Sequence, residues 1–185
     1  MKTKGVIYCG LFTALIAVGA FIKIPILVVP FTLQYLFTML AGLLLGSRLG
    51  TVSVLSYMLL GLAGLPIFSE GGGLWYVFKP SFGYIIGFAV GTFVTGWIAE
   101  HMEKKTIARY LLANLAGLFC VYAVGMIYYY IICNFVINTP IAAGPLFLYC
   151  FVLAVPGDIA LSILGAVVAK RVRPVLAYEA VRVRS

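Results

Sequence analysis

The chain has 185 residues, of which 64% are hydrophobic and 10% charged, with a mean hydropathy of +1.14. A soluble domain carries about 25% charged residues, so this composition excludes one and implies an all-α integral membrane protein. The net charge of +8 is read as a matter of membrane topology, and no nucleic-acid partner is expected.

A spanning helix needs about 20 apolar residues. Charged residues bracket such runs and predict six transmembrane helices, at about 5–22, 33–47, 50–66, 81–101, 106–134 and 146–170. The second is short, which suits a tilted or partly buried segment. With a cytoplasmic N-terminus, Lys2, Lys4, Arg48, Lys104, Lys105, Arg109, Lys170, Arg171, Arg173, Arg182 and Arg184 all fall inside, and Lys23 and Lys79 outside. That asymmetry obeys the positive-inside rule and puts both termini in the cytoplasm. Residues 1–173 form one six-helix membrane domain, and 174–185 a short basic cytoplasmic tail.

Span one opens on "MKTKGVIYCGLFTALIAVGA", which has the basic start, apolar core and small residues of a signal peptide. Cleavage would leave five spans and one terminus outside. Retention as the first of six satisfies the charge rule and is expected. Between spans one and two, Thr32 and Gln34 follow Pro30 in "VVPFTLQYLF". They read either as a cap and turn or as a loop feeding a pocket.

The stretch between spans three and four, "IFSEGGGLWYVFKPSFGYIIGF", gathers a carboxylate, three glycines, Trp75, Tyr76, Lys79 and Tyr84. Ser81 is placed to cap span four. The N-terminus of that span faces outward, where its free N–H groups and dipole favour an anion, and Lys79 adds a full positive charge. The glycines read as a flexible outer lid. Span five ends in Tyr128, Tyr129, Tyr130 and Asn134, of which Tyr130 and Asn134 share a helix face. These aromatic residues fit an interfacial belt or the walls of a cavity.

Asp158 follows "AVPG" inside span six. A charge at mid-bilayer costs about 2.5–3.5 kcal/mol, so this carboxylate either binds a ligand or pairs, for example with Lys79. Pro156 and Gly157 before it loosen the helix and can free a carbonyl. Ser162 lies on the same face. Taken together these residues describe an outward-opening cavity for a small amphipathic metabolite with hydrogen-bond donors at one end.

Other chemistries lack their groups. The sole histidine, His101, sits at a helix end beside Glu100 and Glu103, which does not make a nucleophile–base pair. No G-x-x-x-x-G-K-[ST] phosphate loop is present, so an enzyme is not expected. Cys9, Cys120, Cys133 and Cys150 show no C-x-x-C spacing and read as small bundle residues. No cofactor or metal is expected.

The motifs P-F-T-L-Q, L-A-G-L-L-L-G-x-R-L-G, Y-x-L-L-G-L-x-G-L-P, G-Y-x-x-G-F and P-G-D occur here in that order. They resemble the BioY family, the biotin-specific substrate-binding (S) components of energy-coupling factor (ECF) transporters, over about residues 5–173. The resemblance implies a six-helix protein of the bacterial cell membrane that captures biotin from outside, under the loops between spans one and two and spans three and four. It implies a transmembrane scaffold (T) component and two cytoplasmic ATPases as partners, with the S component toppling in the membrane to release ligand. Small residues of the first helix of S components dock on the scaffold. Gly10 and Ala14, at i,i+4, with Ala17 nearby, match that role, or pack internally. Asp158 matches the family aspartate, an acceptor for the two N–H donors of the ureido ring. Trp75, Tyr76 and Tyr84 suit the thiophane ring and valeryl chain.

Two departures stand out. Family members commonly carry lysine where this chain has Leu161, and K-P-S-F-G-Y replaces G-P-T-x-G-Y, which introduces Lys79 and Phe82. Either Lys79 takes over the missing charge, or specificity has changed, with Phe82 narrowing the pocket. The expected ligand is biotin. The alternative is an S component or solitary carrier for a biotin precursor or another small amphipathic metabolite.

Overall fold

A computed structural model describes residues 3–24 and 31–182. Pro30, expected beside the entry to span two, lies outside the described residues, as does most of the loop between the first two spans. Among the described residues the fold is helical apart from one two-residue strand pair and an isolated bridge between Phe68 and Gly71.

Among the described residues, five segments are long and apolar enough to cross a membrane: Thr3–Phe21, Gln34–Leu62, Phe82–Glu100, Ile107–Val136 and Ala143–Pro174. The first is α1. After it, β1 (Lys23–Ile24) and β2 (Phe31–Thr32) pair antiparallel, with Lys23 opposite Thr32. Leu33 N–H then donates to Ile22 O at 3.1 Å, closing the ribbon onto the end of α1.

The expected spans 33–47 and 50–66 occur as one element, α2 (Gln34–Leu62), interrupted at Gly46, where φ is 86° and ψ 178°. The chain reverses there. A methyl group on Gly50 would lie 2.8 Å from Ala41 O, whereas nine residues of continuous helix would separate the two by about 13.5 Å. The two arms therefore lie against each other. Glycine is required at the reversal because φ is positive. The second arm starts at Ser47, whose N–H and hydroxyl donate to the two carboxylate oxygens of Glu100 at 2.9 and 2.7 Å. A carboxylate on an adjacent helix thus satisfies groups that a helix N-terminus leaves free.

After a short 3₁₀ turn (Leu74–Phe78), α3 covers Phe82–Glu100 and α4 covers Ile107–Ile131, continuing as a π-helical turn to Val136. Thr106 caps α4 by accepting Arg109 N–H at 3.4 Å. Next come α5 (Ala143–Phe147), a second π-helical turn (Leu148–Val152) and α6 (Val155–Arg182), which runs on past Pro174. Pro156 is the second residue of α6. There its missing N–H costs nothing, so it starts the helix rather than loosening its interior.

Neighbours follow chain order from α1 to α4, and α6 packs on both α4 and α2. Small residues set the close approaches. Methyl groups on Gly42, Gly87 and Gly91 would lie 2.7 Å from Thr92 O, Val121 O and Gly117 O respectively. Close backbone contact is the main source of helix attraction in lipid, where water exclusion between helices is absent.

The reversal at Gly46 predicts two stability effects. Gly46→Ala should destabilise the fold by at least ~1 kcal/mol through its positive φ, with added crowding of Glu100. Glu100→Ala should cost about 1–2 kcal/mol by stranding the Ser47 donors. Thermal unfolding of detergent-purified variants checks both, and melting points equal to wild type would contradict this geometry.

Candidate functional site

The first turn of α6 places Asp158 beside the middle of α4. The carboxylate is 9% exposed and accepts a short hydrogen bond from Tyr122 OH. Its position in the first turn also lets the helix dipole favour the negative charge. Tyr122 is the only donor to this carboxylate among the described residues, so acceptor capacity is left for a ligand.

Asp158 borders a cavity of about 700 Å³, counting its open mouth. β2 and the start of α2 contribute Thr32, Gln34 and Tyr35; the loop above contributes Ser69 and Tyr76. Ser81, just before α3, joins Tyr84, Ile85 and Phe88 from the first two turns of α3, while Val121, Tyr122, Cys150 and Ala154 complete the wall. Asp158 is the sole formally charged residue among them.

Three buried polar atoms of this lining have no hydrogen-bond partner among the described residues: Gln34 Nε2, Ser81 Oγ and Tyr84 OH. Each such group costs about 1–3 kcal/mol if left unsatisfied. Three around one cavity, facing a carboxylate, make a polar ligand's hydrogen-bond set. Tyr84 and Tyr122 meet edge to face, with centroids 6.1 Å apart, and add an aromatic wall.

Below the cavity lies a polar floor that joins three helices. Tyr35 OH donates to Asn114 O at 3.0 Å and lies 3.1 Å from Ser162 Oγ; Asn114 Nδ2 donates to Ser162 O at 2.9 Å. Ser162 therefore positions Tyr35 and is not itself part of the lining.

Above it, the 63–81 segment is tied down. Phe68, fully buried, packs against Tyr57, Tyr76 and Phe82, with centroids 5.4, 4.5 and 6.3 Å away. Gly73 N–H donates to Gly61 O at 2.7 Å, Phe68 N–H to Gly71 O at 2.9 Å, and Tyr128 OH to Val77 O at 2.6 Å. The glycines thus form hydrogen-bonded turns, with φ of 114° at Gly71 and 100° at Gly73, where slack was expected.

The expected site residues divide into two sets. Gln34, Tyr76, Tyr84 and Asp158 line the cavity. Trp75 is 82% exposed beside Phe78, as an interfacial belt residue would be. Asn134 Nδ2 bonds Tyr130 O at 3.0 Å and Ile141 O at 3.2 Å, closing the turn after α4. Lys79 lies off the lining, paired with Glu70 at 2.8 Å and 5.1 Å from the Tyr76 ring centroid, so it does not pair with Asp158. Ser81 precedes α3 as expected, but its hydroxyl makes no capping bond. Phe82 belongs to the aromatic cluster under the loop and does not narrow the cavity.

Tyr35 and Tyr122 escaped the sequence reading. The signal for Tyr122 was its place mid-span, where a phenol needs a buried partner. Tyr35 had none separable from an ordinary core aromatic. Cys150, expected as bundle filler, lines the cavity.

The family model described as the BioY family matches residues 1–178. The chain belongs to the BioY family. It is 44% identical over 170 residues to a probable biotin transporter BioY of Lysinibacillus sphaericus, covering 92% of this chain and 87% of that one. It is 46% identical over 124 residues to the biotin transporter BioY of Thermotoga maritima, covering 66% and 72%. Among solved structures it matches the S-component for biotin from an ECF-type ABC transporter, with a TM-score of 0.80 and 31% identity over 94% of this chain and 92% of that one. As a BioY member the chain is a multi-pass membrane transport subunit, not an enzyme.

Ser81→Ala and Tyr84→Phe each remove a buried hydroxyl that has no partner. Each should raise the melting temperature of the ligand-free protein, by up to about 1–3 kcal/mol in stability. A fall in melting temperature for both would show that these hydroxyls are satisfied within the protein.

Proposed function

We propose that this chain binds biotin from outside the cell and takes it up as the S component of an ECF-type ABC transporter. The observation that carries the reading is the buried Asp158 carboxylate, with acceptor capacity to spare, facing three unpartnered polar atoms across an aromatic cavity. The ureido ring offers two N–H donors, which suit an ionised carboxylate. Tyr122 holds that carboxylate, and Gln34, Ser81 and Tyr84 supply the remaining polar contacts. Tyr76, Phe88 and Ile85 receive the thiophane ring and valeryl chain. The ligand carboxylate points to the mouth. There Lys23 Nζ donates to Ser69 O at 3.1 Å, and Lys79 stands off the lining in its pair with Glu70.

The membrane arrangement follows from the same reading. The two arms of α2 count as separate spans, giving six, and the distribution of basic residues puts both termini and the segment from 174 onward in the cytoplasm. With no phosphate loop, transport energy comes from the T component and two ATPases. Gly10 and Ala14 are exposed on α1 and Ala17 is half-buried, and a methyl group on Gly10 would meet nothing within 4 Å. That open, small-residue face supports docking on the scaffold.

One observation favours a second ligand, a biotin precursor or another small amphipathic metabolite: Leu161 leaves the cavity lining without a cation. Competition of precursors against radiolabelled biotin on the purified protein decides between the two.

Stoichiometric tight biotin binding is expected. Asp158→Asn and Tyr122→Phe should each weaken it about 10- to 100-fold, the scale of a lost hydrogen bond to a charged group. Lys79→Ala should change it by less than about threefold, as for an exposed ion pair. Gly10→Leu with Ala14→Leu should impair uptake but leave binding intact. Absence of binding by a folded protein sinks the biotin assignment.

A further inference from the structure

We propose that a second site, at the far end of α6 from Asp158, binds the phosphate of an anionic membrane lipid. Lys105, Tyr110, Lys170, Arg173 and Pro174 surround about 610 Å³ of open space there. Twelve to fifteen residues of helix separate Lys170 and Arg173 from Asp158, about 18–22 Å along α6, so the two sites are independent.

The cations are arranged rather than scattered. Lys170 and Arg173 are three residues apart and share a helix face. Lys105 comes from the α3–α4 connection, immediately before the capping residue of α4, whose N-terminal field also favours an anion. Arg173 is held in place: one guanidinium N–H donates to Tyr110 OH at 3.1 Å, and the group lies 5.8 Å from the Tyr110 ring centroid. Tyr110 is 1% exposed, so this anchor is part of the core. Its own O–H has no acceptor among the described residues and is free to donate. None of the three cations lies within 4 Å of a carboxylate of residues 31–174; Glu103, two residues from Lys105, is not so placed, and Glu100 is engaged by Ser47. Three positive charges with a fixed guanidinium fork and a spare phenol donor suit a phosphate group.

The position selects lipid over a soluble phosphate. The apolar segments Ile107–Val136 and Ala143–Pro174 begin and end at this pocket, so it lies at headgroup level. Ile107, two residues after Lys105 and 37% exposed, adds apolar surface at the start of α4. Basic pockets between spans at this level recognise anionic headgroups. This inference rests on where the spans end and not on the biotin reading.

The test is native mass spectrometry of the full purified chain with phosphatidylglycerol or phosphatidylcholine of equal chain length, with inorganic phosphate as a competitor. Wild type should retain phosphatidylglycerol preferentially. Each of Lys105→Gln, Lys170→Gln and Arg173→Gln should lower that retention about fivefold, and the triple variant should lose the preference. Lys104→Gln with Arg171→Gln, which removes two charges off the pocket, should leave it unchanged. Melting temperature and size-exclusion profile report folding, and the single variants serve if the triple variant does not fold. Equal retention by wild type and variants, or an equal loss in the off-pocket control, overturns the proposal. So does displacement of the lipid by inorganic phosphate. A triple variant that keeps its lipid preference but no longer assembles with the scaffold and ATPases would show a protein-docking surface instead.

Discussion

A carboxylate buried among membrane helices needs a donor, and Asp158 finds one in Tyr122. That contact ties α6 to α4 at the cavity, as Asn114–Ser162 and Tyr110–Arg173 do further along, and much of the site follows from it. The chain breaks between the π-helical turn and Val155 so that α6 can start just before Asp158 and direct its N-terminal field at the charge. One phenol satisfies only part of a carboxylate's acceptor capacity. The remainder faces a cavity whose other unpartnered groups, Gln34, Ser81 and Tyr84, come from two further elements. Among the described residues this hydrogen-bonding demand is unmet, and a ligand with matching groups would meet it.

Holding such a demand requires rigid surroundings. Below the cavity the helices close to backbone contact through glycines, and the Tyr35–Asn114–Ser162 network pins α2, α4 and α6 at one level. At the cavity the same interfaces carry tyrosines, and Gly125 leaves room for Tyr84, whose ring a methyl group there would approach to 2.6 Å. Above, Phe68 inserts fully into an aromatic cluster, worth about 1.5–3 kcal/mol of burial. The 63–81 loop is thus fixed by two buried aromatic side chains, Phe68 and Tyr76, and by hydrogen bonds that include those from Tyr57 OH to Ile67 O and from Tyr128 OH to Val77 O. Opening that loop means withdrawing Phe68 and Tyr76 together.

Much of this was legible in the sequence, and the failures have physical causes. Span boundaries followed from charge spacing, and Asp158 from the cost of a charge in an apolar run. Gln34, Tyr76 and Tyr84 were found because polar or amphipathic groups at the outer ends of spans stand out. The division into a second and a third span was legible from Arg48, but the sharpness of the reversal was not, since Gly46 turns the chain within α2 without any polar loop. Lys79 was misplaced for a different reason. Its partner Glu70 lies nine residues back across a folded loop, and neither helical nor strand periodicity relates the two. Tyr35 was missed because at a span entrance it is indistinguishable from an ordinary core aromatic, and Tyr122 because its mid-span position signals a buried partner without saying which one.

α6 joins the two ends of the bundle, with an acceptor at its start and cations twelve to fifteen residues on. The distinction bears on transport. An S component that topples in the membrane must draw the cations near Lys170 and Arg173 away from headgroup level. A charge moved to the bilayer centre costs about 2.5–3.5 kcal/mol, so three of them would oppose toppling by roughly 7–10 kcal/mol unless they kept a partner. The hydrogen bond from Arg173 to Tyr110 moves with the bundle and reduces that cost for one of the three. The remainder must be offset outside this chain, by contacts with the scaffold or by a bound lipid that travels with the protein. Asp158, already buried and already paired, adds no comparable penalty. If the chain reorients as the proposed function implies, the electrostatic resistance to that motion would be set at the end of the molecule away from Asp158.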